Sequence, residues 1–184
     1  MNFKHLWEIV VLLCMVILIA LIVTKVEQDQ DVGLSGRFRA ADGDSLEQDG
    51  QRLRLLGIDA PELSQTCRRR AETWACGLEA RQVLAGLVAS GKTECRGSRR
   101  DRYDRLLVRC QSGSLDINRE MVRRGLAVAF GDHEAEERAA KIARRGLWAG
   151  EFVQPSEWRA SHRSNRPAEE PHFTPFLQRW FAVE

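Results

Sequence analysis

The sequence predicts an α+β, mainly β protein: a five-stranded Greek-key barrel with about three helices, preceded by one N-terminal transmembrane helix. Three observations carry this expectation. Short alternating runs are punctuated by Asp-Gly turn signals at Asp42-Gly43 and Asp49-Gly50. Stripes of helical period stand between such runs, as at Ala80, Leu84, Leu87 and Val88. Near the N-terminus, Ile9 to Val23 is unbroken apolar sequence. The 184 residues leave room for one globular domain plus extras. A net charge of +2, from 28 basic against 26 acidic residues, is too mild to mark a nucleic-acid binder by itself.

Taken in order, residues 1–26 read as a signal anchor, contacting the bilayer through residues 6–26, with Lys25 able to snorkel. A cleaved signal peptide is the competing reading, but nothing resembling A-x-A follows Val23. Lys4 precedes the span while Glu27, Asp29 and Asp31 follow it, so the positive-inside rule places the domain outside the cytosol. The expected location is therefore membrane-anchored and extracytoplasmic, periplasmic or at the cell surface, or secreted if the segment is cleaved. Residues 27–32 are a polar linker, and residues 33–158 are the expected domain.

Within that domain Arg37–Ala40, Ser45–Glu47 and Arg52–Ile58 form a three-strand meander. From Arg68 to Ala89 the period turns helical and Gly91 ends it. Lys92–Arg96 and Arg105–Cys110 are a second strand pair joined by an arginine-rich loop, so that Arg96, Arg99, Arg100, Arg102 and Arg105 crowd one short segment. Asp116 caps a helix bearing Ile117, Met121 and Val122, and Glu134–Arg145 is the last helix. Five strands with interposed helices point to an OB-fold. Residues 159–184 read as a polar linker and a short aromatic tail.

Four cysteines fall in the domain, an even number that suits two disulfides outside the cytosol. Three connectivities are open, and pairing of near neighbours, Cys67 with Cys76 and Cys95 with Cys110, is preferred. Zinc is disfavoured, since no C-x₂-C spacing or nearby histidine exists.

The chemistry concentrates in Asp42-Gly43-Asp44-Ser45, in Arg54-Leu55-Leu56-Gly57-Ile58-Asp59-Ala60-Pro61-Glu62 and in Asp101-Arg102-Tyr103-Asp104-Arg105. Two carboxylates at neighbouring strand ends, Asp44 and Asp59, could share one hard divalent cation. Glu62 would stand one step outside and work on a water. Two arginines suit a phosphodiester transition state, where charge grows on the non-bridging oxygens. Parity raises an objection: Arg54 and Asp59 are five residues apart, so a regular strand sends them to opposite faces. The chain must leave register, and Gly57 is where it can.

These motifs, with Asn118, Met121 to Ala127 and Arg145 to Trp148, resemble the staphylococcal nuclease (thermonuclease) family from about Arg37 to Trp158. The resemblance implies an OB-fold and calcium-dependent endonucleolytic hydrolysis of DNA or RNA, leaving 3′-phosphate ends. It implies single-stranded or frayed substrate, with Ca²⁺ on Asp44, Asp59 and the backbone carbonyl of Ala60. Arg54, Glu62 and Arg105 fall on the catalytic positions, and Arg102 and Tyr103 on contacts to a terminal phosphate. Two departures stand out. Asp104 replaces a glycine beside Arg105, where an acidic neighbour could draw the guanidinium away. After Ala127 the base-stacking tyrosines are absent, with Phe130 the nearby aromatic. The alternative function is a non-catalytic nucleic-acid- or protein-binding module tethered to the membrane.

Overall fold

The computed structural model describes residues 3–28, 31–89 and 92–163. The aromatic tail and Gly91 lie outside the described residues. Among the described residues, eleven strands form three sheets. The main one is seven-stranded and includes β1 (Val32–Gly36), β2 (Arg39–Ala40), β3 (Ser45–Gln48), β4 (Gln51–Leu55), β8 (Thr93–Arg100) and β9 (Leu106–Ser112), in the order β1-β8-β9-β4-β3-β2. Its seventh strand, β10 (Leu115–Asp116), pairs with β9. The pairing of β4 with β9 is parallel and the other ladders are antiparallel, so the sheet is mixed. This corrects the five-stranded barrel. The sheet is an open half-barrel whose order begins at β1 and ends at β2.

The expected third strand is split. Gly57 adopts φ +81° and breaks it after β4. The chain resumes as β5 (Ile58–Asp59), which pairs with β11 (Val128–Ala129). The third sheet is a hairpin of β6 (Cys67–Arg69) and β7 (Glu72–Trp74), where a helix was expected to begin. Arg70 and Ala71 turn it with φ of 48° and 70°, a positive-φ pair without the usual Gly or Asn signature.

Five α-helices are present among the described residues, one more than the N-terminal helix and about three others expected: α1 (Phe3–Gln28), α2 (Cys76–Ala89), α3 (Ile117–Arg123), α4 (Glu134–Ile142) and α5 (Pro155–Arg163). The stripe predicted from the sequence is the buried face of α2: Ala80, Leu84, Leu87 and Val88 pack with Leu46, Leu53 and Leu55 of the sheet and Ile117, Met121 and Val122 of α3. Asp116 caps α3 as expected, its side chain accepting from the Arg119 N–H. The buried Asn118 of α3 donates to the Leu56 and Val108 carbonyls and accepts from the Cys110 N–H. It thereby ties the exit of β4 to β9.

The transmembrane expectation is also overturned: no helix among the described residues is long and apolar enough to cross a membrane. The unbroken run Ile9 to Val23 rises about 22 Å at 1.5 Å per residue, short of the ~30 Å hydrocarbon core. The anchored localisation and the bilayer as a partner lose their support with it. Both preferred disulfides, Cys67–Cys76 and Cys95–Cys110, are formed, and Cys14 is free. Such bonds belong to oxidising compartments.

Gly77, in the first turn of α2, lies against the segment that carries Glu62. A Cβ there would sit 1.8 Å from the Glu62 carbonyl oxygen. Gly77→Ala is therefore expected to cost about 2 kcal/mol or more from overpacking, read as a fall in the urea midpoint. An unchanged midpoint would show that this contact relaxes freely.

Candidate active site

The predicted residues converge from strand ends and turns. Asp42 accepts the Asp44 N–H on its own side chain at 3.0 Å, so a side-chain turn shapes this corner. Asp44 is buried and accepts from the Ala60 N–H at 2.9 Å, from Ser45 Oγ at 3.1 Å and from Arg54 Nη1 at 2.8 Å. The other arm of Arg54 reaches Asp59, Nη2 donating to Oδ1 at 2.8 Å. The turn at Gly57 resolves the parity objection, because it returns Asp59 to the face that Arg54 occupies. Ala60 is buried, its N–H committed to Asp44.

Electrostatics at this corner are severe. Burial pushes the Asp44 carboxyl up to about 7, with Asp42 and Asp59 adding to the rise and Arg54 and the Ala60 N–H opposing it. Burial also works against the charge on Arg54, yet Asp44 and Asp59 outweigh it and raise its pKa.

Glu62 is placed by the segment beyond Pro61. Gln65, fully buried, accepts the Glu62 N–H through Oε1 at 3.2 Å and donates from Nε2 to the Val153 carbonyl at 2.7 Å. Arg54 and Glu62 then line a cavity of about 1070 Å³ together with Arg102, Tyr103 and Arg105. All three catalytic candidates and both phosphate-contact candidates thus share one cleft.

Arg105 stands apart from the carboxylates and is held by Asp101: Nε donates to Oδ2 at 2.8 Å and the backbone N–H to Oδ1 at 3.0 Å. Burial pushes Asp101 up, but the side chain of Arg105 and the Arg105 and Tyr103 N–H groups prevail and hold it below its ordinary range. Asp104 does not compete for Arg105. It takes the glycine's place at φ 61°, a conformation aspartate tolerates, and directs its carboxylate to Arg100 at 3.4 Å. The guanidinium carbons of Arg102 and Arg105 lie 4.8 Å and 5.4 Å from the exposed Tyr103 ring centroid.

α5 brings Trp158, Arg159 and His162 into this cleft, none of them expected there from the sequence. Arg159 Nη1 donates to Asp59 Oδ1 and to Glu62 Oε1, both at 3.0 Å, and Nη2 donates to Asp59 Oδ2 at 2.8 Å. Burial disfavours its charge, but the bonds to Asp59 and Glu62 outweigh this and raise its pKa. Trp158 and His162 stack at 3.8 Å between centroids and 16° between planes. The available signal was Pro155 at a first helical position with Trp158 and His162 four apart. Phe130 is exposed and does not line this cleft.

The described residues contain no group of three or more His, Cys, Asp or Glu side chains arranged to hold a metal ion. The donors that are present, Asp44 and Asp59, offer oxygen only, as hard cations require. Asp44 is raised by burial and by like charge, the circumstance a cation would relieve. A donor pair of this chemistry suits a hard divalent ion, whose other ligands would be water or backbone oxygen.

The titration of Asp44 has a consequence for stability. Folded Asp44 holds its proton to about pH 7, against an ordinary value of 3.8. The folded chain thus binds more protons in that window, and this contribution is present below about pH 4 and lost as pH rises through about 7. In chelator, Asp44→Asn should gain on wild type by a few kcal/mol, as an order of magnitude, between about pH 4 and 7. Urea midpoints at the two pH values measure it, and a pH-independent difference would refute it.

Comparison with known proteins places this geometry in a family. The model for the staphylococcal nuclease homologue family matches residues 52–150. A succinoglycan biosynthesis protein of Rhizobium meliloti is 31% identical over 141 residues, covering 72% of this chain and 74% of that protein. An uncharacterized endonuclease of Haemophilus influenzae is 32% identical over 122 residues, 62% of this chain and 63% of that one. Another, from Escherichia coli O157:H7, is 30% identical over 133 residues, 66% and 81% respectively. Arg54, Asp59, Glu62 and Arg105 all fall within the matched segment, which spans more than half of the chain, and the chain belongs to the staphylococcal nuclease homologue family.

Proposed function

We propose that this nuclease-family chain is a calcium-dependent phosphodiester hydrolase cleaving single-stranded or frayed DNA or RNA to 3′-phosphate ends. The observation that carries the reading is the single cleft in which Arg54, Glu62 and Arg105 face one another, with Asp44 and Asp59 tied behind Arg54. Asp44, Asp59 and the Ala60 backbone would hold the cation, which supplies charge neutralisation for the phosphate when bound. Glu62 takes the proton of the attacking water through Oε2, Oε1 being engaged by Arg159. Arg54 and Arg105 meet the charge that grows on the non-bridging oxygens, each pre-aimed by its carboxylate partners. The new P–O bond forms as the bond to the 5′-oxygen breaks, and that oxygen takes up a proton from solvent.

Substrate form follows from the walls of the cleft. Tyr103 and the Trp158–His162 pair offer aromatic faces next to Arg102 and Arg105. Aromatic faces beside basic side chains suit unpaired bases, which a duplex keeps stacked away.

The test uses the full chain, oxidised, with single-stranded DNA and RNA in calcium or in chelator. Cleavage is expected only with calcium, falling about 100-fold or more in Glu62→Gln and about 100- to 1,000-fold in Arg54→Ala. Duplex should be cut more slowly than single strands. Binding to single strands without cleavage in calcium would overturn the reading in favour of a non-catalytic module.

A further inference from the structure

We propose that Arg159 is a positioning residue of the active centre: from α5 it clamps Glu62 against Asp59, aiming the base and setting the charge a divalent cation meets. The proposal rests on the nuclease reading above and concerns a residue beyond the segment matched to the family, residues 52–150.

The contact is a planar bridge. One nitrogen of Arg159 is shared between Asp59 Oδ1 and Glu62 Oε1, and the second takes Asp59 Oδ2. A guanidinium can hold two carboxylates in one geometry this way, whereas an ammonium is a single point of charge. Glu62 lies between strands just after Pro61, and there Gln65 holds its backbone N–H.

The helix that delivers Arg159 is built in. The backbones of Arg68 and Glu151 exchange hydrogen bonds at 2.9 Å in both directions, fastening the approach to α5 onto the β6 hairpin. The Cys67–Cys76 disulfide fastens that hairpin to α2. Gln65 then joins the Glu62 turn to Val153, two residues before α5 begins. The same residue thus orients the base and the helix carrying its clamp.

Charge argues that Arg159 is a resident part and not a plug standing in for the cation. Asp44 and Asp59 meet Arg54, while Asp59 and Glu62 meet Arg159, so three carboxyl groups share two guanidiniums. The cleft beside Arg159 also remains open, at about 1070 Å³.

Positioning, scaffolding and plugging predict different pairs of changes, read on the full-length protein by calcium titration calorimetry and by single-strand turnover. Removing the positive charge in Arg159→Ala should tighten calcium roughly tenfold, while kcat falls about 100-fold as Glu62 loses its aim. Arg159→Lys should return calcium affinity toward wild type, because the charge is restored, but leave kcat low, because lysine cannot bridge. Loss of both affinity and turnover in Arg159→Ala would reduce the residue to scaffolding and overturn the proposal. A rise in both would make it a plug and equally overturn it. A wild-type chain that never cleaves is recognised before any variant is made, and it overturns the nuclease reading together with this one.

Discussion

Arg54 lies between two buried carboxylates, and the local architecture follows from keeping it there. Asp44 and Asp59 are almost without solvent, and a buried charge is tolerated only when paired and hydrogen-bonded. One guanidinium serves both, at 2.8 Å on each side. This demands that a strand carry Arg54 past Asp44 and that the chain double back within five residues to deliver Asp59. The Gly57 turn makes the return, Asn118 ties the Leu56 carbonyl to β9, and the pairing of β5 with β11 keeps Asp59 from unwinding.

The remainder of the cleft is assembled from places distant in sequence, each with its own restraint. Asp101 grips Arg105 by side chain and backbone, while Asp104 occupies a left-handed position that turns its carboxylate to Arg100. The acidic neighbour that threatened Arg105 is therefore harmless for a conformational reason. The Cys95–Cys110 disulfide joins facing residues of the two strands that carry this turn. On the opposite wall, the β6 hairpin and Gln65 bring α5 and Arg159 over Asp59 and Glu62.

Much of the site was legible because its residues act over short separations. Arg54, Asp59 and Glu62 fall within nine residues, and the Asp49-Gly50 turn announces itself with φ of 49° and 80°. The disulfides join cysteines 9 and 15 apart, and the apolar stripe of α2 names its own buried face. The strand count was not legible. The register break expected at Gly57 divides one strand into two, and the hairpin turned by Arg70 and Ala71 depends on backbone conformations that those side chains do not advertise. The apolar run at the N-terminus read as a span by composition, although its length falls short.

By itself, then, the sequence determined which carboxylates and guanidiniums stand close together in the chain, the helical core face and the cysteine pairs. Local periodicity and residue type encode these things directly. Only the tertiary structure decided the half-barrel, the harmless orientation of Asp104 and the entry of α5 into the cleft. Arg159 reaches Asp59 across 100 residues of chain. No local pattern reports which distant carboxylate an exposed-looking arginine will meet, because that contact is fixed by the backbone ladder and buried glutamine that dock its helix.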